Sequence, residues 1–363
     1  MTTPAPSFFD DPRRRNLAIM AAVALVLIVL AVLSLARQAD EVAPHETHEL
    51  FFPNIDSSDH KIAHIQIRSK AGVIDVVFKP ERGWVVASHD DYKANFDEIQ
   101  RTAIGLANLT TIQKKTARPD WFRYIDLVAP EQGGNGKEII LWDEKGAVIA
   151  SLITGKAADI GDPGGAIGLY VRRSGESQSW LVRSVFEPKS DPGDWLDKNV
   201  MSIDRARIAQ VDVDPLAGPS YVVRRQKPAD TDFTLAELPK GRALSYDSAP
   251  DGVAASVVDF SFDDVKPAKT FDFSDPAHTA RVTTKTFDGL TVGVTLIQQG
   301  KDYWATVSAD GANPDAQKEA RAINANASGW AYKLPPFKGQ QFTATLESML
   351  KPLTGPATTA QAH

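Results

Sequence analysis

A run of 20 residues without a charge, residues 17–36, constrains this chain of 363 residues more than any other feature. At a rise of about 1.5 Å per residue, a helix of that length spans about 30 Å, the thickness of the hydrocarbon core of a bilayer. The run consists mainly of Leu, Val, Ile and Ala and contains neither Pro nor Gly. It therefore predicts a transmembrane helix over residues 16–37, and residues 17–36 (Leu17 at its start, Ala36 at its end) are the segment expected to contact lipid.

The charges on either side of this run predict its orientation. Residues 13–15 are all Arg, whereas Asp40 and Glu41 follow the run. Basic flanking segments stay on the cytoplasmic side of a membrane. We therefore expect residues 1–15 to form a cytoplasmic tail and the bulk of the chain to lie in the periplasm, anchored to a bacterial inner membrane.

A cleaved signal peptide is the alternative interpretation of the apolar run. Ser34 and Ala36 have the small side chains that a cleavage site requires. The run is longer than the ~7–15 apolar residues of a typical signal peptide, which favours an uncleaved anchor. Because the chain has no cysteine, a lipid-modified cysteine and a disulfide framework are both excluded.

The part of the chain that follows the anchor has the composition of folded domains. Hydrophobic residues make up 43% of the chain and charged residues 24%, which is usual for globular proteins. The formal net charge is −6, so the chain offers no electrostatic reason to bind nucleic acid or anionic lipid. Residues 38–58 are predicted to form a polar linker next to the membrane, and residues 354–363 a disordered tail.

The hydrophobic pattern between these two segments predicts an α+β fold that is rich in antiparallel strands. Ile62, Ile65 and Ile67 begin a series of short strands, which are separated by turns that contain glycine. Apolar residues recur at three- and four-residue steps over residues 96–109, which predicts one amphipathic helix.

The second half of the chain repeats the element order of the first half. The corresponding positions are Ile62 with Ile208, Trp84 with Phe233, Asp143 with Asp288, Gly155 with Gly300, and Trp180 with Trp330. Because these positions recur in one order, we predict a tandem duplication of one mixed α/β unit. The first repeat covers residues 59–205 and the second covers residues 206–353.

Five segments in this order give the chain a family resemblance. They are GWVV at residues 83–86, WFRYI at 121–125, IILWDEKGAVIASLITGK at 139–156, GLYVR at 168–172 and WLDK at 195–198. Together with the N-terminal membrane helix, they make residues 60–215 resemble the exported family known as domain of unknown function 4340. The tyrosine-containing stretch usual in that family is present here only as Asp91 and Tyr92.

The resemblance implies a role in transport. Members of this family are described, by gene association, as auxiliary components of an ABC-2-type transport system related to gliding-motility exporters. The partners that it implies are an ABC-2-type permease and its ATPase.

The sequence contains no recognisable catalytic motif. A P-loop requires Gly-Lys followed by Ser or Thr, but Gly155 and Lys156 are followed by Ala157, so any ATPase would be another subunit. The neighbouring carboxylates Asp90 and Asp91 would point to opposite faces of a strand and would not converge. We therefore predict no catalytic, cofactor-binding or metal-binding residue.

Two segments are candidates for a surface that binds a partner or ligand. Trp121, Phe122 and Tyr124 form a compact aromatic cluster, which could instead cap the core of a domain. Gly164 and Gly165 lie in a glycine-rich loop between two predicted strands, where the alternative is a connection without a ligand.

The sequence thus favours a non-catalytic accessory or binding subunit that is anchored in the membrane and associated with an ABC-type transport system. An envelope hydrolase or glycan-modifying enzyme that uses scattered Asp, Glu and His residues is the first alternative. A structural envelope tether, in which the helix is only an anchor, is the second alternative.

Overall fold

The computed structural model describes residue 29, residues 49–53, residue 55, and residues 61–258 and 260–352. Val29 is the only residue of the predicted transmembrane helix among them. The predicted cytoplasmic tail, most of the predicted linker and the predicted C-terminal tail lie outside the described residues. Within the residues that the structure describes, no helix is long and apolar enough to cross a membrane.

Two antiparallel sheets and several helices form the described part of the chain, which confirms the predicted α+β class. The strands of the first sheet are β1 (Ile62–Ser69), β2 (Gly72–Lys79), β3 (Gly83–Val86), β4 (Tyr92–Lys93), β5 (Thr110–Lys114), β6 (Lys137–Asp143), β7 (Val148–Ala158), β8 (Ile167–Arg173) and β9 (Ser179–Ser184). The strands of the second sheet are β10 (Ile208–Asp214), β11 (Tyr221–Arg224), β12 (Thr234–Leu235), β13 (Asp264–Pro267), β14 (Thr279–Thr286), β15 (Leu290–Gln299), β16 (Asp302–Gly311) and β17 (Trp330–Leu334).

The helices of the described residues lie between these strands and after them. The α-helices are α1 (Phe96–Ala107), α2 (Ala249–Ala254), α3 (Pro314–Ala327), α4 (Pro336–Phe342) and α5 (Leu346–Met349). Short 3₁₀ helices cover Ala87–His89, Pro119–Tyr124, Pro130–Gln132, Pro192–Trp195, Arg205–Arg207, Ala255–Val257 and Ala268–Thr270.

The strand order is the same in the two sheets. The first sheet runs β4-β3-β2-β1-β6-β7-β8-β9-β5, and the second runs β12-β11-β10-β14-β15-β16-β17-β13. When β10 is matched to β1, every strand of the second sheet has a counterpart at the same place in the first sheet. The match extends to an irregularity in strand pairing. The register of β1 with β6 shifts between Ile62 and His64, and the register of β10 with β14 shifts between Ile208 and Gln210.

Helix α3 and strand β4 are two of the described elements that distinguish the halves. Helix α3 lies between β16 and β17, whereas a short turn joins the corresponding strands β8 and β9. Asn313 is the N-cap residue of α3. Its Oδ1 accepts a hydrogen bond from the Ala316 amide at 3.0 Å and so satisfies a free backbone donor of the first turn. In the first sheet, the edge strand β4 has no counterpart among the described strands of the second sheet.

Helix α1 begins at Phe96, as the periodicity predicts, and ends at Ala107. Asn95 is the N-cap residue of this helix, and its side chain accepts a hydrogen bond from the Glu98 amide at 3.4 Å. Gly105 lets the helix approach the Phe186 ring, because a Cβ at this position would lie 2.0 Å from a ring carbon. The absence of a side chain at this position therefore sets the distance between α1 and the chain that follows β9.

Replacing Glu98 with Gln is expected to stabilise the protein at neutral pH, because burial disfavours the ionised carboxyl more than the ion pair with Arg101 favours it. The Glu98 side chain is only 3% exposed, and burial raises the pKa of its carboxyl while Arg101 partly opposes the shift. A raised pKa means that the folded state favours the protonated form. The stabilisation by Glu98 is therefore present below its ordinary pKa of 4.5 and is lost as pH rises through the folded pKa.

Differential scanning calorimetry at pH 3.5 and pH 7.5 would test this effect. We expect the variant to gain stability over the wild type only at the higher pH, because glutamine mimics the protonated carboxyl. Glu144→Gln, at an exposed position, is the matched control and should change little at either pH. An equal gain at both pH values would show that titration of Glu98 is not the cause.

One hydrophobic core joins the two halves of the described chain. The Tyr92 ring on β4 lies 5.0 Å from the Trp330 ring and 6.0 Å from the Phe262 ring, both in an edge-to-face arrangement. Lys198 of the first half donates a hydrogen bond to the Phe262 carbonyl at 2.6 Å. The edge strand β4 of the first sheet therefore packs against the second half.

Candidate functional site

The 3₁₀ helix Pro119–Tyr124 brings two aromatic side chains to the surface. Trp121 is 52% exposed and Tyr124 is 59% exposed, whereas Phe122 is 6% exposed. Residues three apart are eclipsed in a 3₁₀ helix, so Trp121 and Tyr124 share one side while Phe122 points away from it. The predicted aromatic cluster is therefore divided between the surface and the interior.

Two arginines stack on the exposed rings. The Arg118 guanidinium lies 5.4 Å from the Trp121 ring centre, and the Arg123 guanidinium lies 4.9 Å from the Tyr124 ring centre. Arg123 also donates a hydrogen bond to the Tyr124 hydroxyl at 2.9 Å. We call Arg118, Trp121, Arg123 and Tyr124 the aromatic–arginine surface. Trp, Tyr and Arg are the residue types that dominate the binding energy of protein interfaces.

Strand β7 holds this surface in place. The Lys156 ammonium donates a hydrogen bond to the Tyr124 carbonyl at 2.9 Å, and the Lys156 amide donates one to the Ile125 carbonyl at 3.0 Å. The pairing of β7 with β8 is irregular between Thr154 and Ala157, which frees Lys156 for these contacts. Gly155 and Lys156, which resemble part of a P-loop in sequence, therefore attach the 3₁₀ helix to the sheet.

A cavity of about 400 Å³ lies beside Phe122. Phe122 packs with Leu127, Ala129 and Ile153 in a small cluster separate from the main core. We call this cavity the Phe122–Arg172 pocket. Its lining consists of Pro119, Phe122, Val128, Ala129, Gln132, Glu138, Ile153, Arg172, Ser174, Gly175, Glu176 and Ser177.

Arg172 on β8 brings a buried positive charge to this pocket. The residue is 7% exposed, and its guanidinium lies 5.0 Å from the Phe122 ring centre. Its Nε donates a hydrogen bond to the Leu127 carbonyl at 3.0 Å, and its Nη1 donates one to the Glu176 carbonyl at 3.2 Å. Burial lowers the pKa of Arg172, and the attraction of Glu138 opposes this shift.

Glu138 on β6 is the buried acidic residue of the pocket, at 8% exposure. It accepts a hydrogen bond from the Ser174 hydroxyl at 2.6 Å and pairs with Arg68 at 3.4 Å. Arg68 also pairs with Glu131 at 3.1 Å. Hydrogen bonds from its own backbone amide, from Arg68 and with the Glu138 side chain lower the pKa of Glu131 against the opposing effect of burial. The carboxylates around the pocket therefore have partners of their own.

Gly164 and Gly165 lie in the exposed loop between β7 and β8. The Gly164 amide donates a hydrogen bond to Asp162 Oδ1 at 2.6 Å, and Asp162 forms an ion pair with Arg183 on β9. Gly165 has a φ of +77°, which favours glycine. The contacts of the described residues do not connect this loop to the aromatic–arginine surface, so the structure does not unite the two predicted segments.

A serine, a histidine and an aspartate meet where the two halves join. Ser88 Oγ lies 3.3 Å from His89 Nδ1, and His89 Nε2 lies 3.3 Å from Asp264 Oδ1. In a serine hydrolase the acid contacts Nδ1 and the serine contacts Nε2, which is the opposite arrangement. Ser88 Oγ also accepts a hydrogen bond from the Asp75 amide at 3.3 Å. We interpret the group as a polar contact between the halves.

The arginines of this region were not predicted from the sequence. Arg118 and Arg123 lie within three residues of the aromatic side chains, and this proximity was the available signal. Arg172 gave no such signal, because β8 is buried on both faces along much of its length. A strand of that kind has no polar side on which a charged residue would stand out.

A family model described as Domain of unknown function (DUF4340) matches residues 84–280 of this chain. The match covers more than half of the 363 residues and includes the aromatic–arginine surface, Phe122 and Arg172. No curated protein and no solved structure matches the chain.

Proposed function

The chain belongs to the DUF4340 family, and we propose that it is a non-catalytic accessory or binding subunit of an ABC-type transport system. In this proposal, residues 17–36 anchor it in a bacterial inner membrane, with the N-terminus in the cytoplasm and both sheets in the periplasm. Its partners are an ABC-2-type permease and the ATPase of that permease.

The exposure of Trp121 and Tyr124 is the observation that carries the proposal. Large aromatic side chains gain free energy when they leave water, so two of them exposed on one side of a short helix favour a partner that covers them. The stacked Arg118 and Arg123 supply hydrogen-bond donors at the rim of the same patch. A surface of this composition supports a binding role.

The matching sheets support the second part of the proposal, which concerns how the protein arose. We propose that a tandem duplication produced two domains, over residues 59–205 and residues 206–353. The equal strand order and the corresponding register shifts at Ile62 and Ile208 support this origin. In this view, β4 was added to the first copy, where Tyr92 now packs against the second copy.

The double substitution Trp121→Ala with Tyr124→Ala is expected to weaken binding to the partner about tenfold or more, as loss of interface hot spots does. The test is affinity purification of the tagged full-length protein from membranes in mild detergent, followed by mass spectrometry. The wild type should retain the permease and its ATPase, and the variant should retain neither.

The matched control is Tyr246→Ala with Phe337→Ala, which removes two aromatic residues that are 63% and 58% exposed in the second half. This control should retain the partners as well as the wild type does. Equal retention by all three proteins would show that the aromatic–arginine surface is not the contact. A wild type that brings down no permease above the level of an unrelated single-pass protein would contradict the transport role itself.

A further inference from the structure

We propose that the Phe122–Arg172 pocket is a binding site for an organic carboxylate that carries a compact apolar group. The pocket volume, about 400 Å³, lies within the range of about 300–1,000 Å³ that is usual for small-molecule sites. The ligand class follows from one buried cation, its incomplete pairing and the apolar wall beside it.

The buried cation is Arg172. A buried charge is costly unless a group of opposite charge pairs with it. The Nε and Nη1 atoms of Arg172 each donate to a backbone carbonyl. Glu138 attracts the guanidinium, but neither it nor another carboxylate of the described residues lies close enough to form an ion pair with Arg172. Its Nη2 donates to none of these residues either, so it is free to bind an oxygen atom in the pocket. A ligand carboxylate would supply a charge partner in direct contact, with hydrogen bonds of the strong, charge-assisted kind.

The nearby Glu138 determines which anion is suitable. Arg68 and the Ser174 hydroxyl already bind its two oxygen atoms, so Glu138 does not compete for Nη2 of Arg172. Its negative charge nevertheless remains close to the pocket and repels a second anion in proportion to the charge of that anion. A carboxylate with a single charge is therefore favoured over a phosphate dianion.

The apolar wall beside Arg172 determines the rest of the ligand. Phe122, Val128, Ala129 and Ile153 line it, and burying a leucine-sized group against such side chains favours binding. A guanidinium beside an apolar wall matches a carboxylate with a branched aliphatic group on the neighbouring carbon. Both the C-terminal residue of a polypeptide and a free small acid have this chemistry.

The site goes beyond the proposed function, because it requires neither the permease nor the exposed rings Trp121 and Tyr124. The two proposals therefore fail separately. Loss of partner retention in the Trp121 and Tyr124 variant bears on the aromatic–arginine surface alone, whereas loss of ligand binding in the Arg172 variant bears on the pocket alone.

The test uses N-acetyl-leucine and its amide, which differ only in the charged group. Saturation-transfer NMR and calorimetry on the full-length wild type in detergent should show the acid binding about tenfold or more tightly than the amide, because hydrogen bonds to a charged group are the strong ones. Arg172→Gln should abolish this difference, and Arg281→Gln, at an exposed position of β14, should preserve it.

The comparison of acid with amide needs no variant, so it remains decisive even if Arg172→Gln does not fold. Equal affinities of the two probes for the wild type, or no binding of either, would overturn the proposal. A third probe, acetyl-Ala-Ala-Leu, shows whether the carboxylate that the pocket binds belongs to a polypeptide chain or to a free small acid. Binding at least as tight as that of N-acetyl-leucine indicates the end of a polypeptide chain, and weaker binding indicates a free acid.

Discussion

Replacing Tyr92 with alanine is expected to lower the free energy of unfolding by about 3–5 kcal/mol, the usual cost of removing a large buried ring. Tyr92 is 4% exposed, and its ring packs edge-to-face on Phe262, Trp330 and Tyr332 of the second half. The substitution would leave a cavity where the two halves meet. Its cost therefore measures how strongly each half stabilises the other.

The hydroxyl group of Tyr92 allows the ring to be tested separately from the hydrogen bond. It donates to the Asp197 carbonyl at 3.0 Å, and burial raises the pKa of Tyr92, so this donor stays protonated. Tyr92→Phe keeps the ring and removes only the hydroxyl group, with its hydrogen bonds to the Asp197 carbonyl and to Tyr332. We expect that variant to lose about 1 kcal/mol, well below the loss from Tyr92→Ala.

Urea unfolding followed by tryptophan fluorescence would measure both effects. Tyr246→Ala, at a position that is 63% exposed, is the control and should stay within about 0.5 kcal/mol of the wild type. If the contact at Tyr92 couples the halves, Tyr92→Ala should also broaden or split the transition, because the halves then unfold separately. A loss below 1 kcal/mol with an unchanged single transition would show that the contact contributes little.

The regular elements were the part of this fold that local patterns could predict. The apolar periodicity over residues 96–109 predicted α1 (Phe96–Ala107) almost to its last residue, because burial on one face leaves a repeat of three to four residues in the sequence. Buried residues alternate with more exposed ones along most of strand β15, where Leu290 and Val292 are both fully buried. Patterns of this kind report burial directly.

Contacts between distant residues left no such pattern. Tyr92 follows two residues in left-handed conformation, Asp90 and Asp91, and nothing local indicates that its ring reaches Trp330. The sequence also did not show which aromatic side chains of residues 121–124 are exposed. Trp121 and Tyr124 could be assigned to one face and Phe122 to another only once the segment was known to be a 3₁₀ helix, since only that geometry places every third residue in line.

Replacing Gly155 with alanine is expected to destabilise the protein by about 3 kcal/mol and to displace the aromatic–arginine surface. A Cβ at Gly155 would lie 2.0 Å from the Ile125 carbonyl oxygen and 3.1 Å from backbone atoms of Asp126. Backbone atoms cannot rotate away as the end of a side chain can, so β7 and residues 125–126 must separate. Overpacking of this kind costs about 1–3 kcal/mol, and a lost hydrogen bond adds about 1 kcal/mol.

The hydrogen bond at risk is the one from the Lys156 amide to the Ile125 carbonyl, at 3.0 Å. Its loss would release the end of the 3₁₀ helix that contains Trp121 and Tyr124, while the pairing of β1 with β2 has no contact with this point. Hydrogen–deuterium exchange should therefore become faster over residues 119–126 and stay unchanged over residues 62–79. Partner retention should fall as it does when the two aromatic side chains are removed.

Gly252→Ala is the matched control, because a Cβ at that position meets nothing within 4 Å. Gly252 lies in α2 (Ala249–Ala254), where alanine favours the helix by about 1 kcal/mol over glycine. The same chemical change should thus stabilise the protein at Gly252 and destabilise it at Gly155. Destabilisation at Gly155 without faster exchange over residues 119–126 would show that β7 does not hold the 3₁₀ helix, and the binding surface would then need another support.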